Sequence, residues 1–145
     1  MIRIPHLKIS LILIPKTGTT SIKDYVLKNC PGSIEHKRTH ISKNQALDDR
    51  FASPEDRFIA VVRDPLELQL SRYFYRSRHG MIEGNSPEDF RRRVKQGKGL
   101  LTGGEYYETA PQHWFVDRTD WLVPFGRIEN FYSSFIEVCG YTEVH

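Results

Sequence analysis

The sequence predicts an α/β fold, a three-layer α/β/α arrangement with helices on both faces of a central parallel sheet. Two apolar runs, Ile9-Ser10-Leu11-Ile12-Leu13-Ile14 and Phe58-Ile59-Ala60-Val61-Val62, have the length and composition of strands buried on both faces. Each run leads within a few residues into a helix start, a threonine-rich turn after the first and Pro65 after the second. Strands that alternate with helices imply parallel pairing through right-handed crossovers. The 145 residues suffice for one domain, spanning 1–145, with its own core.

Along the chain, residues 8–14 are the first strand and 20–29 a helix that ends before the Pro31-Gly32 turn. Residues 33–36 make a short second strand, and Ser42 is the N-cap of a helix reaching about residue 50. A loop over 53–56 precedes the strand at 58–62. The next helix starts at Pro65 and runs to about 77, with Leu66, Leu70, Tyr73 and Phe74 at helical spacing. Ser86-Pro87-Glu88-Asp89 opens another helix with an N-cap, a first-turn proline and acidic residues near the positive end of the dipole. Residues 95–104 are glycine-rich and form a candidate lid. A helix near 110–116, a last strand at 121–125 and a final helix over 129–139, capped by Gly140, complete the series.

Lysine and arginine together number 21 against 18 aspartates and glutamates, a net charge of +3 that suits an anionic ligand but not a nucleic-acid partner. The densest basic run, Arg91-Arg92-Arg93 with Lys95 and Lys98, reads as a solvated helix face, with an acidic substrate as the alternative. Cys30 and Cys139 form neither a disulfide scaffold nor a metal motif, so no metal site is expected. No apolar run approaches the ~18 residues of a membrane span, and none has the pattern of a signal peptide. The expected setting is the cytoplasm.

The stretch Pro15-Lys16-Thr17-Gly18-Thr19-Thr20-Ser21 carries the chemistry. A helix N-terminus presents N–H groups without intrahelical partners and a partial positive charge. Gly18 lets the backbone come close to a ligand, Lys16 adds a charge, and Thr17, Thr19, Thr20 and Ser21 add hydroxyls. The order differs from a Walker A loop, in which the lysine follows the second glycine. Val62-Arg63-Asp64-Pro65 supplies a second anion group. Arg63 follows a strand, and Ser71 stands eight residues later, two helical turns on. A nucleotide with phosphate-like groups at both its 5′ and 3′ ends would use both sites.

These residues resemble the sulfotransferases that use 3′-phosphoadenosine-5′-phosphosulfate. Residues Pro15 to Ser21 resemble the family's 5′-phosphosulfate loop. Val62-Arg63-Asp64-Pro65 with Ser71-Arg72-Tyr73 resembles its 3′-phosphate motif, at the family's Arg-to-Ser spacing. Gly126-Arg127-Ile128-Glu129-Asn130-Phe131 is similar to a late segment of Golgi-type carbohydrate sulfotransferases. Thr39-His40-Ile41-Ser42 is similar to the segment of glycan 2-O-sulfotransferases in which a histidine is the base.

The resemblance implies a P-loop-like sheet and transfer of a sulfuryl group from this donor to a hydroxyl, with carbohydrate the leading acceptor class and a small alcohol, lipid or tyrosine behind it. It implies that Lys16 neutralises the leaving phosphate, that Thr17 to Ser21 hold the 5′ end, and that Arg63 and Ser71 hold the 3′-phosphate. His40 takes the acceptor proton, and His36 and Glu35 are rival bases. Two other readings stay open: a P-loop kinase or NTPase, with Asp64 after an apolar strand as a Walker B echo, and a non-catalytic nucleotide-binding domain.

Overall fold

The computed structural model describes residues 1–96, 111–117, 120–129 and 132–133. Its central strand is dictated by the first apolar run. All four residues of β2 (Ile9–Ile12) are buried. It lies between β1 (Ile2–Ile4) and β4 (Arg57–Val62), with β3 (Ile34–Glu35) and β5 (Trp121–Pro124) at the edges, in the order β3-β1-β2-β4-β5. β2, β4 and β5 are mutually parallel, with Leu11 opposite Ile59 and Val61 opposite Val123.

The sheet is mostly rather than wholly parallel, because β1 runs against both β2 and β3. Pro5 opens a single 3₁₀ turn over Pro5–Leu7, and Lys8 takes a left-handed φ of 51°. That reversal folds residues 2–4 back onto β2, with Ile2 opposite Leu11 and Ile4 opposite Ile9. The hairpin escapes a reading based on apolar runs, since only three residues of β1 pair and proline follows at once.

Alternation then sorts the side chains. Ile2, Ile4, Ile9, Leu11, Leu13, Ile59 and Val61 share a buried cluster with Ile22 and Val26 of α1 (Thr19–Asn29). Ile22 and Val26 are four residues apart, so one stripe of the helix meets one face of the sheet. Each such buried side chain contributes about 1.5–3 kcal/mol of transfer free energy. On the other face, the Lys43 ammonium of α2 (Lys43–Asp48) sits 4.7 Å from the centre of the Phe58 ring.

The remaining helices start where their caps predict. Ser42 and Gln45 make a reciprocal capping box on α2. Asp64 accepts from the amides of Leu66 and Glu67 at the start of α3 (Pro65–Arg78), and Ser86 accepts from Asp89 N–H at the start of α4 (Pro87–Lys95). α5 spans Gln112–Phe115. Backbone at 128–129 and 132–133 is helical. The rest of the expected final helix, with Cys139 and Gly140, lies outside the described residues, as does the candidate lid from residue 97 on. The chain divides into two compact units, Met1–Val62 with Gln112–His145, and Arg63–Pro111. Among the described residues no helix is long and apolar enough to cross a membrane.

Asp56 ties the sheet together at the start of β4. Its carboxylate accepts two hydrogen bonds from Arg3, at 2.8 and 3.1 Å, one from the Ser10 hydroxyl at 2.8 Å and one from Ser53 N–H at 3.1 Å. Arg3 and Ser10 are register partners in β1 and β2, so one carboxylate joins three strands. Burial pushes this carboxyl up. The hydrogen bonds from Arg3, Ser53 and Ser10 and the Arg3 charge outweigh it and hold the group below the ordinary carboxylate range.

A depressed folded-state pKa gives stability that is present above the unfolded value near ~4 and is lost as pH falls through the folded value. Asp56→Ala should therefore lower unfolding free energy at pH 7 by about 3–5 kcal/mol, the cost of breaking a buried pair. Asp56→Asn should remove part of the loss of stability on acidification. Denaturant titrations from pH 7 to 3 check both. Equal acid sensitivity in wild type and Asp56→Asn would contradict the role given to this carboxylate.

Candidate functional site

The chain leaves β2 through Leu13 and Ile14, both fully buried, and enters α1 through the four-residue loop Pro15 to Gly18. Two residues in that loop take left-handed conformations, Lys16 at φ 67° and Gly18 at φ 78°. A lysine there costs about 1–2 kcal/mol, which the surrounding structure must offset. One offset is visible. Thr17 is buried and turns inward, its hydroxyl donating to the Ile14 carbonyl at 2.8 Å. Its side chain thus closes the loop on itself, and what Thr17 can offer a ligand is its backbone.

Gly18 is the N-cap of α1, where no side chain caps the helix. The contrast with the side-chain caps on α2, α3 and α4 is chemical. The first amides of α1, at Thr19, Thr20 and Ser21, are left for water or an anion. Thr20 and Ser21 are exposed, and Thr19 and Lys16 are half-buried. Gly18 is also needed for packing. A Cβ there would stand 3.0 Å from Ile128 Cδ1 and 3.4 Å from Phe125 Cε2. The close approach that Gly18 permits is therefore to the segment after β5, part of the Gly126-to-Phe131 stretch singled out in the sequence.

His40 joins this loop from another part of the chain. Its Nδ1 lies 2.7 Å from the Leu13 carbonyl oxygen, at the exit of β2. A carbonyl can only accept, so Nδ1 carries the proton, and in the neutral ring Nε2 is the basic nitrogen.

The rival bases are engaged elsewhere. The Glu35 carboxylate pairs with Lys23 at 3.1 Å and accepts from the Thr39 hydroxyl at 3.5 Å. His36 is buried, with Nε2 3.2 Å from Asp49 Oδ2 and Nδ1 accepting from Arg38 N–H at 3.0 Å. The sequence reading favours His40 over His36 and Glu35 by its resemblance alone; the Leu13 carbonyl that His40 meets is 27 residues away in sequence.

The second compact unit holds Arg63 and Ser71, the other candidate anion-binding residues. Arg63 and Ser71 line one open cavity of about 710 Å³, together with Glu67, Phe74, Arg78 and Asn85. The spacing of eight residues thus brings both predicted side chains to one space. Glu67 is there as well, its carboxylate 3.5 Å from Arg63 Nε, an i,i+4 pair across the start of α3. Arg78 and Asn85 are further polar groups that the motif did not point to.

In the Ser71-Arg72-Tyr73 triplet only Ser71 faces this cavity. Tyr73 is buried and tilted against Phe90, with ring centres 5.4 Å apart. Arg72 is buried too, and burial with the neighbouring Arg76 pushes its guanidinium down to about 10, still charged at neutral pH.

Lys16, Gly18, Thr19 to Ser21 and His40 thus surround the exit of β2, while Arg63 and Ser71 share a cavity of their own. β4, parallel to β2 and next to it, ends at Val62, directly before Arg63. Among the described residues no group of three or more His, Cys, Asp or Glu side chains could hold a metal ion. Comparison of the chain with protein-family models, curated proteins and solved structures gives no match.

The Gly18 geometry sets a direct test of the loop. Gly18→Ala places a Cβ at positive φ and against Ile128, and should cost about 1–3 kcal/mol of stability. Urea denaturation measures it, and an unchanged midpoint would mean that residue 18 does not hold this conformation in solution.

Proposed function

We propose that this chain is a sulfotransferase that moves a sulfuryl group from 3′-phosphoadenosine-5′-phosphosulfate to an acceptor hydroxyl, on a P-loop-like three-layer fold, with carbohydrate as the acceptor class. The observation that carries the reading is the His40–Leu13 hydrogen bond. It sets a histidine, with its proton on the inner nitrogen, at the root of a loop that offers a lysine and uncapped helix amides.

When bound, the donor supplies an activated sulfuryl group. The rest falls to the protein. The Lys16 ammonium offsets negative charge where the leaving phosphate forms, a transition-state role that raises turnover more than affinity. The amides at the start of α1, with the Thr19, Thr20 and Ser21 hydroxyls, hold the 5′ end, and Thr17 and Gly18 give the loop its shape. The Arg63 fork and the Ser71 hydroxyl hold the 3′-phosphate. His40 Nε2 accepts the acceptor's proton, which requires a neutral imidazole. Metal-free transfer of this kind relies on positioning and charge stabilisation, as phosphoryl transfer does.

The Arg63–Glu67 pair favours a second reading, in which Arg63 serves only to stabilise the first turns of α3. Calorimetry without magnesium separates the two. On the sulfotransferase reading, 3′,5′-adenosine bisphosphate binds better than 5′-AMP, ATP or GTP. Arg63→Ala weakens the bisphosphate by roughly ten- to a hundredfold, from the loss of a charge-assisted contact, and hardly touches 5′-AMP. Glu67→Gln releases Arg63 from a half-exposed pair and should tighten the bisphosphate about two- to fivefold. Affinity unmoved by both variants supports the second reading, and a strict need for magnesium with preference for ATP supports a kinase or NTPase.

A further inference from the structure

His36 and Asp49 occupy a place that the proposed reaction does not use, four and nine residues from His40 in sequence. The His36 ring is buried, and every polar position on it is engaged. Nδ1 lies 3.0 Å from Arg38 N and 3.1 Å from Arg38 O. A neutral ring accepts from the first and a charged ring donates to the second, so in either state Nδ1 is tied to the Arg38 backbone. In both states Nε2 carries a proton and donates to Asp49 Oδ2, at 3.2 Å. The alternative neutral tautomer would turn a lone pair toward the carboxylate.

Asp49 is the C-cap residue of α2 and also accepts from Arg38 Nη2 at 3.1 Å. The ring edge packs on Phe51, with centres 4.9 Å apart at 83°, and His36 N–H donates to the Met1 carbonyl at 3.0 Å. The other end of the segment is fixed as well. Ile41 is fully buried, and Ser42 is locked in the capping box of α2. His40 lies between these two anchors.

We propose that His36 and Asp49 form a clamp that fixes the backbone leading to His40 and thereby keeps His40 Nδ1 on the Leu13 carbonyl. His36 is then a positioning residue and not a second base. The clamp acts through the tautomer of His40. With Nδ1 held as the donor, the basic nitrogen is always Nε2, and the ring does not drift to the Nε2–H form that imidazole side chains favour in water. The catalytic part of this inference rests on the sulfotransferase reading. The structural part does not.

Asp49 is the side chain to change, because it is partly exposed and its loss opens no cavity in the core. Long-range ¹H–¹⁵N correlation of the histidine rings reads the His40 tautomer in the free, full-length protein. The wild type should show Nδ1–H. Asp49→Ala should shift His40 toward Nε2–H, and Asp49→Asn, whose amide oxygen still accepts from His36 Nε2–H, should restore the wild-type signal.

In a transfer assay Asp49→Ala should lower kcat by about ten- to a hundredfold, the cost of a misplaced group. KM and bisphosphate affinity should stay within about twofold. An unshifted His40 tautomer in folded Asp49→Ala overturns the clamp. A shifted tautomer with unchanged kcat overturns the positioning role. A wild-type protein that does not bind 3′,5′-adenosine bisphosphate counts instead against the sulfotransferase reading, and the tautomer shift still decides the clamp.

Discussion

The exit of strand β2 is the point on which the proposed chemistry depends, and it is fixed by hydrogen bonds to two successive carbonyls. Leu13 and Ile14 have left the ladder of the sheet but remain buried, so their carbonyl groups need partners or carry a desolvation cost. His40 satisfies the first and Thr17 the second. The same two bonds shape the site. One places an imidazole beside the loop and sets its tautomer. The other draws the threonine inward so that the chain can pass through the left-handed Lys16 and Gly18 into a helix without a capping side chain. Satisfying buried backbone and assembling a candidate active site are here one arrangement.

The opposite end of β2 is held differently. There the Asp56 carboxylate gathers Arg3, Ser10 and the Ser53 amide, coupling the β1–β2 hairpin to the start of β4. A buried charge of this kind is costly unless all its lone pairs are used, and four hydrogen bonds use them. β2 therefore has a polar anchor at its amino end, an apolar middle against α1, and the His40 and Thr17 bonds at its carboxyl end. A strand with both ends fixed is a sound base for the loop that, in the proposed reaction, holds charged groups.

What could be read from the sequence follows from how local each signal is. Helix starts were legible at Ser42, Pro65 and Ser86 because caps and first-turn prolines act over three or four residues. β2 and β4 were legible as apolar runs. The β1 hairpin was not, because a three-residue strand before a proline carries no periodicity, and its partners are fixed by Asp56, more than fifty residues away in sequence.

In the site, the Arg63-to-Ser71 spacing led to one cavity because a single helix spans it. His40 was put forward as the base over His36 and Glu35 by resemblance, whereas its bond to the Leu13 carbonyl, an atom with no sequence signature, could not be read from the sequence. Gly18 also lies against Ile128, a long-range contact that no local rule supplies.

The most direct measurement is single-turnover conversion of 3′-phosphoadenosine-5′-phosphosulfate to 3′,5′-adenosine bisphosphate, followed by ³¹P NMR with a mixture of glycan acceptors, for wild type and Lys16→Ala. Acceptor-dependent formation of the bisphosphate is expected, slowed by about a hundredfold or more when the lysine is removed. Absence of cleavage with every acceptor, or an equal rate in the Lys16→Ala protein, would contradict the assignment.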